Sequence, residues 1–386
     1  MGAQLGHADE RAKPVTVTVR DTWSWHAAFV MRARSREHMV VGMRYRWVGQ
    51  RAMLLTALLV VASVGASAQA TMRPHRVTSI AIATPEKAND YGWNQQGVLG
   101  ARAAARAAHV SLTVADGIGY DTVQPVLRRL AGAGAGLIIA HASGYSTIAP
   151  RIAAQYGVPV LTYDDPRTLK KGLVADIETS SQQGAYLAGV LAARMTKTGV
   201  LGIVISAADT NWFKQSGGFI AGARGVRGHL VFRFAQIGQG AYADAAGGKR
   251  VAQSVIALGA DVVFGMGDGA SFGYLQAVET AQVGHKVWLI DVIGNKSAID
   301  LHHVLLSSVL WNFGPIFQRA IADINGGTFG THLYNLNVAD GISLLKTPAI
   351  PRAVWDLIER DRQAILAGKI TAPLTPTEAA VRAMLK

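Results

Sequence analysis

From Val77 onward the chain alternates short apolar runs with amphipathic stretches, and the period switches between the two throughout. Val77–Thr84 is an unbroken run of β-branched and small apolar residues, the pattern of a strand buried on both faces. Turn formers follow (Pro85, Asn89, Asp90, Gly92), and an amphipathic helix opens at Trp93-Asn94 and continues to Ala108. The same alternation predicts strands over 110–115, 136–140, 158–163 and 173–177, separated by helices over 121–131 and 145–156. After a long helix over 180–195, with Ser180 or Ser181 as its cap, the pattern starts again. Strands fall over 199–206, 230–237, 261–266 and 286–291, and helices over 213–226, 243–258 and 271–282. A strand over 303–309, a helix over 315–325, short strands and turns over 328–345 that return to the first lobe, and a closing helix over 351–367 complete the chain. This order predicts an α/β protein: two doubly wound parallel-sheet lobes joined by a multi-strand hinge. Lobe 1 is expected over 76–178 plus part of 313–386, and lobe 2 over 179–312. Hinge segments are expected near 177–182, 294–300 and 312–315.

In such sheets ligands collect beyond the carboxyl ends of the strands. That rule makes Trp93 and Asn94 candidates for gripping a small molecule, with a packing indole and a helix-capping amide as the alternative. By the same rule His141, Asp164 and Asp291 stand at strand ends, although a hydrogen-bonded structural histidine fits His141 equally. Gly265-Met266-Gly267-Asp268-Gly269 ends a strand of the second lobe. It either offers backbone N–H groups to a ligand oxygen or makes a tight strand-to-helix turn.

The first βα turn has neither G-x-G-x-x-G nor a P-loop lysine, which disfavours a dinucleotide or nucleoside-triphosphate site there. No G-x-S-x-G elbow is present, and His302-His303 is adjacent rather than spaced for a shared helix face. The 386 residues exceed the size of one ordinary domain, half of them are hydrophobic, and none is cysteine. Disulfides, thiolate chemistry and cysteine-ligated metals are thereby excluded. Neither a cofactor nor a bound metal is expected. The net charge is +13, but residues 1–68 hold nine Lys/Arg against four Asp/Glu, so the remainder carries +8. Without a dense basic run or basic residues interleaved with aromatics, that balance reads as a solvated surface and not as a nucleic-acid interface.

Residues 43–68 carry a separate signal. Arg44, Arg46 and Arg51 precede an apolar run from Ala52 to Val64, and Ala66-Ser67-Ala68 resembles a cleavage site. An exported, cleaved chain is expected, with Met43 or Met39 as the start of translation and residues 1–42 outside any fold. An uncleaved anchor with a cytoplasmic tail is the competing reading.

Several stretches, in order, resemble the basic membrane protein family of substrate-binding proteins of ABC importers, which have type I periplasmic-binding architecture. DYGWNQQGVLGARAAA (90–105) is similar to its D-x-x-F-N opening, with Trp93 and Asn94 in the aromatic and amide slots. GAYLAGVLAARMTKTGVLGIV (184–204), NWFKQSGGFIAGAR (211–224), WLIDVIGNK (288–296), VLLSSVLWN (304–312) and LAGKITAP (366–373) are similar to later family segments. The resemblance implies a purine nucleoside, or a related base, closed between two lobes and delivered to permease subunits in the inner membrane. It also implies a monomeric periplasmic protein and no catalysis. By position it points to Trp93, Asn94, Asp164, Trp212 or Phe213, Gly267 and Asp291 as ligand contacts. Three positions depart from the family pattern. Trp311 stands where the family often has Lys and offers a further stacking plane, Ala142-Ser143 replaces an aromatic after the third strand, and Ile293 replaces a second acid. These departures bring a free base or another flat heterocycle into range. The missing cysteine departs from the lipoprotein relatives and implies a protein free in the periplasm. Two other roles compete: a lobe pair that signals to a membrane receptor, and an exported enzyme acting through Asp164 and Asp291.

Overall fold

The computed structural model describes residues 76–386; the expected N-terminal extension over 1–42 and the expected export signal over 43–68 lie outside the described residues. The first lobe begins with β1 (Ser79–Thr84), buried from Ile80 to its end, and α1 (Trp93–Ala108), whose face of Val98, Ala101, Ala104 and Ala105 packs on it. It continues through β2 (Ser111–Asp116), α2 (Val123–Gly132), β3 (Ile138–Ala140), α3 (Ala149–Tyr156), β4 (Val160–Tyr163) and β5 (Val174–Thr179). The chain then crosses to the second lobe. There α4 (Ser181–Met195), β6 (Val200–Ile205), α5 (Thr210–Val226), β7 (Val231–Gln236), α6 (Ala245–Ala257), β8 (Val262–Met266), α7 (Ala270–Glu279), β9 (Trp288–Ile293) and β10 (Leu305–Trp311) follow.

After β10 the chain recrosses with α8 (Gly314–Gly326), which packs on α1, and β11 (Tyr334–Leu336), which pairs in parallel with β5. It crosses a third time with β12 (Ile342–Leu344), antiparallel to β10. The result is two six-stranded sheets, ordered β11-β5-β4-β3-β1-β2 and β12-β10-β9-β8-β6-β7. The 328–345 stretch, expected to return to the first lobe, thus gives one strand to each sheet. The closing helices α9 (Arg352–Leu366) and α10 (Glu378–Ala383) pack on α4 and α5 of the second lobe, and α10 was not anticipated in the sequence pattern. The helix expected to start at Tyr145 begins instead at Ala149, after a single 3₁₀ turn over Ser143–Tyr145. Neither Ser180 nor Ser181 caps α4 through its side chain; the Ser180 hydroxyl donates to Asn335 Oδ1 at 3.0 Å. Among the described residues no helix is long and apolar enough to cross a membrane.

The parallel order places the C-terminal ends of β1, β3, β4 and β5 opposite those of β6, β8, β9 and β10, and the loops there touch across the gap. The tightest approach is at Gly294, just after β9, where an added Cβ would lie 2.0 Å from the Tyr91 carbonyl oxygen of the first lobe. Only glycine lets these two backbones meet. Gly294→Ala is therefore expected to wedge the lobes apart while leaving each lobe folded. X-ray scattering should show a larger radius of gyration, and ligand affinity should fall by about ten-fold or more; an unchanged radius and affinity would contradict this contact.

Candidate functional site

The loop between β1 and α1 is held by a carboxylate. Asp90 accepts backbone N–H groups from Gly92 (3.0 Å), Asn94 (3.0 Å) and Gln95 (2.9 Å), satisfying donors that the first helical turn leaves unpaired. The Asn94 side chain, fully buried, completes the clasp. Its Nδ2 donates to Asp90 Oδ2 at 2.8 Å and its Oδ1 accepts from the Glu86 N–H at 3.2 Å. Asn94 therefore shapes the loop and does not line the cavity.

What the clasp presents is Trp93. Its indole stacks on the His141 ring at 4.3 Å and donates through Nε1 to the His141 carbonyl at 2.8 Å. The edges of Tyr163, Trp311 and Phe313 pack around the same indole. His141 is wholly buried behind it. Burial lowers its pKa to about 3, so the ring is neutral, with Nε2–H donating to the Trp93 carbonyl (2.9 Å) and Nδ1 accepting from the Tyr163 hydroxyl (2.6 Å). His141 backs Trp93 and does not line the cavity.

Between the lobes lies a cavity of about 260 Å³. The first lobe contributes Pro85, Glu86, Trp93, Tyr120 and the 142–144 segment; the second contributes Asp209, Asn211, Trp212, Tyr242, Asp268 and Trp311. Of the residues singled out from the sequence, Trp93, Trp212, Asp268 and Trp311 line this space. Asp164 stands one step behind it, accepting from the Ser143 hydroxyl (2.5 Å) and from Asn211 Nδ2 (3.3 Å), so it ties a first-lobe loop to a second-lobe helix.

Phe213 faces the core instead. The Gly267 carbonyl accepts from Ser271 Oγ (2.8 Å), and the 267–269 loop is a strand-to-helix turn that carries Asp268 to the cavity. Asp291 is fully buried below that turn. Its Oδ1 accepts from Ser271 Oγ (3.0 Å) and lies 3.2 Å from Lys296 Nζ. Lys296 in turn donates to the carbonyls of Val292 and Tyr91, both at 3.0 Å, and the Tyr91 bond crosses to the first lobe. Asp291 does not line the cavity; through Lys296 it is linked to the first lobe.

The site is strongly acidic. Burial pushes the Asp268 carboxyl well above the usual carboxylate range, and Asp90 and Glu86 push it further. Burial raises Glu86 as well, with Asp90 adding to the effect. The Tyr120 phenol is pushed up to about 12, by burial first and then by Asp268, Glu86 and Asp209. Asp209 caps α5 through the N–H of Asn211 (2.7 Å) and accepts the Tyr242 hydroxyl at 3.0 Å. Carboxylate oxygens of Glu86, Asp90 and Asp268 lie within 4.8 Å of one another, close enough to surround a cation, but the cap on α1 already engages both Asp90 oxygens. The buried Nε1–H of Trp311 has no hydrogen-bond partner among the described residues. A polar ligand atom beside it would gain a hydrogen bond that the protein does not supply.

The raised carboxyls give a sign to the pH dependence of stability. Burial raises Asp164 to about 6 and Asp176, on β5, to about 7. Both lie above the ordinary aspartate value of about 3.9, so the native state binds more protons than the unfolded chain between about pH 4 and 7. Their contribution is fully present below that window and lost as pH rises through it. The urea midpoint should fall from pH 5 to pH 8, and Asp176→Asn should flatten that slope; a slope unchanged by Asp176→Asn would contradict the assignment.

Glu86, Tyr120, Ser143, Asp209, Asn211 and Tyr242 line the cavity without having been singled out. The strand-end rule that selected Asp164 applies equally to Glu86, Tyr120, Asp209 and Tyr242, which follow β1, β2, β6 and β7.

Two parallel-sheet lobes with a cavity between facing strand ends, walled by indoles and carboxylates, are the architecture of the hinged solute-binding proteins. Residues 77–364 match the family described as Bmp, "ABC transporter substrate-binding protein PnrA-like", and the chain belongs to that family. Over 209 residues it is 28% identical to the "ABC transporter nucleoside-binding protein BmpA" of Lactococcus lactis, a match covering 50% of this chain and 58% of that protein. A 290-residue match to the "Transcriptional activator protein med" of Bacillus subtilis is 22% identical and covers 74% of this chain and 86% of that protein. Among solved structures, an ABC transporter solute-binding protein from Conexibacter woesei superposes with a TM-score of 0.66 at 20% identity, covering 77% of this chain and 99% of that one. A transcriptional activator of the comK gene from Bacillus halodurans gives 0.63 at 16% identity, covering 76% and 100%. At these identities the solved structures establish the fold.

Proposed function

We propose that this protein is the solute-binding component of an ABC importer and that its lobes close on a small planar nitrogen heterocycle, a purine nucleoside or a free base. The observation that carries this reading is the cavity wall: Trp93, Trp212 and Trp311 bring three indoles to it, and Glu86 and Asp268 supply acceptors for ring N–H, amine or hydroxyl donors. Aromatic faces hold a flat ring largely regardless of its hydrogen-bond pattern, and buried acceptors then select among rings. The cavity stands at the small end for ligand sites, which fits a solute of one or two rings. The name of the lactococcal relative supports a nucleoside.

Binding stabilises the closed form because the ligand touches both lobes, and the interlobe hydrogen bonds of Asp268 with Trp93 and of Lys296 with Tyr91 form together with that closure. The protein works outside the cytoplasmic membrane, as a monomer that hands its solute to permease subunits. Asp164 and Asp291, the pair that an enzyme would need, do not share a space: one is tied to Ser143 and Asn211, the other to Ser271 and Lys296. This arrangement supports binding without turnover, and a bound nucleoside should be recovered unchanged.

The test is a thermal-shift panel of nucleosides, free bases and sugars. A heterocycle at about 100 times its Kd should add about 2.7 kcal/mol of stability, and sugars without a base should add none. Silence toward every nitrogen heterocycle would contradict the ligand class. The long match to the Bacillus subtilis activator favours a second reading, in which the closed form signals to a membrane receptor. Stimulation of transport in vesicles carrying the cognate permease separates the two.

A further inference from the structure

The charge of the cavity wall narrows the ligand further. Glu86, Asp209 and Asp268 all line the space, and none of its lining residues is Lys, Arg or His. Three lysines of the surrounding loops and helices are committed elsewhere. Lys296 is buried against Asp291 and two carbonyls, Lys87 pairs with Asp116 at 3.2 Å, and Lys214 pairs with Glu178 at 3.6 Å. Asp209 is occupied by its helix cap and the Tyr242 hydroxyl. Asp268 is different: it is only 7% exposed, its Oδ1 accepts the Trp93 N–H at 3.2 Å, and its Oδ2 has no hydrogen-bond partner among the described residues.

We infer that the solute is a planar organic cation, a nitrogen heterocycle carrying a delocalised positive charge, held between the indoles of Trp93, Trp212 and Trp311 with its charge toward Asp268 and Glu86. The inference rests on the heterocycle reading proposed above and adds the sign of the ligand's charge. Indole faces attract cations through the ring quadrupole, and the attraction grows when both groups leave water. Carboxylates in the same wall add a charge-assisted hydrogen bond to any N–H that carries part of the charge. An anion would meet three acids with no counter-charge, and a neutral ring would leave those acids facing one another. Burial is the larger cause of the upward displacement of Glu86 and Asp268, with Asp90 adding to both and Glu86 to Asp268, and a cation bound beside Asp268 would offset the effect of these neighbouring charges.

The test uses isomeric nucleosides that differ in charge but not in size, titrated calorimetrically into the full-length protein at neutral pH. 1-Methyladenosine is protonated and cationic at neutral pH, whereas its isomer methylated on the exocyclic amine is neutral. 7-Methylguanosine, compared at about pH 6 where it keeps its N1 proton, is likewise cationic, and 1-methylguanosine is its neutral isomer. The cation of each pair should bind about ten-fold or more tighter, and Asp268→Asn should remove most of that preference while the thermal midpoint confirms that the variant is folded. Equal or tighter binding of both neutral isomers would overturn the charge assignment and leave the heterocycle reading standing. If none of the four binds, while the thermal-shift panel finds another class of solute, the heterocycle reading fails and the inference falls with it. A preference that survives Asp268→Asn and Glu86→Gln alike would also overturn it.

Discussion

Lys296→Met should destabilise the protein by about 3–5 kcal/mol, the usual cost of removing one partner of a buried ion pair. The ammonium is 1% exposed and has three partners at 3.0–3.2 Å: the Asp291 carboxylate and the carbonyls of Val292 and Tyr91. Methionine keeps most of the volume and supplies none of the donors. The carboxylate left behind is fully buried, and one of its oxygens already lacks a partner. Burial pushes Asp291 upward while Lys296 pulls it down, so removing the lysine lets the carboxyl protonate. The deficit should therefore be smallest in mild acid and grow as pH rises. Asp291→Asn in the same chain should restore part of the loss, because it removes the unpaired charge; urea unfolding of the two single variants and the double variant measures the coupling. Additive losses would mean that the pair is not the unit described. The Tyr91 bond adds a second consequence. It is one of the few links between the lobes, so the double variant, though folded, should still bind more weakly than the parent.

Trp93→Ala should abolish detectable ligand binding and also cost about 2–4 kcal/mol of stability. The two losses come from the two sides of one ring. One side lines the cavity, while the other stacks on His141 and meets the edges of Tyr163, Trp311 and Phe313. Truncation removes a wall of the site and leaves a hole over a neutral, wholly buried histidine. From the sequence alone a cleft indole would be removable without harm to folding; the stacked aromatic cluster is the reason that it is not. Trp93→Phe separates the effects. It keeps a plane in the wall and part of the packing, so most of the stability should return while affinity remains reduced. Calorimetry with a bound solute and thermal unfolding of both variants check the two halves. Full stability in Trp93→Ala would mean that the cluster contributes less than its geometry implies.

The architecture was legible in the chain because its signals are one-dimensional. Runs such as Val77–Thr84 and 199–206 are uncharged and dominated by β-branched and small residues, and the helices between them carry a clear stripe, so the alternation of elements and the two lobes follow from periodicity. The strand-end rule pointed to Trp93 and Asp268 and the family resemblance to Trp212 and Trp311, and all four lie on the cavity wall. It did not say which way a strand-end side chain turns. His141 and Asp291 stand where the rule places a ligand contact, yet both are fully buried, one against Trp93 and the other against Lys296. Asn94 reads equally as a ligand amide or a capping amide, and its side chain holds its own loop by engaging Asp90, three residues before the helix. Tyr120 and Tyr242 were passed over because they sit in glycine-rich loops after β2 and β7, where nothing local distinguishes a cavity tyrosine from an exposed one. The third crossing was hidden for a related reason: β11 and β12 have three residues each, too few to show a period.

The account depends on the space between the lobes being the seat of a flat nitrogen-containing solute. Mass spectrometry of the small molecules released when the natively purified protein is denatured tests this most directly. It should find a nitrogen heterocycle in near-stoichiometric amount, and a much smaller amount from Gly294→Ala. A released sugar, polyol or other solute without a nitrogen ring, retained equally by Gly294→Ala, would contradict it.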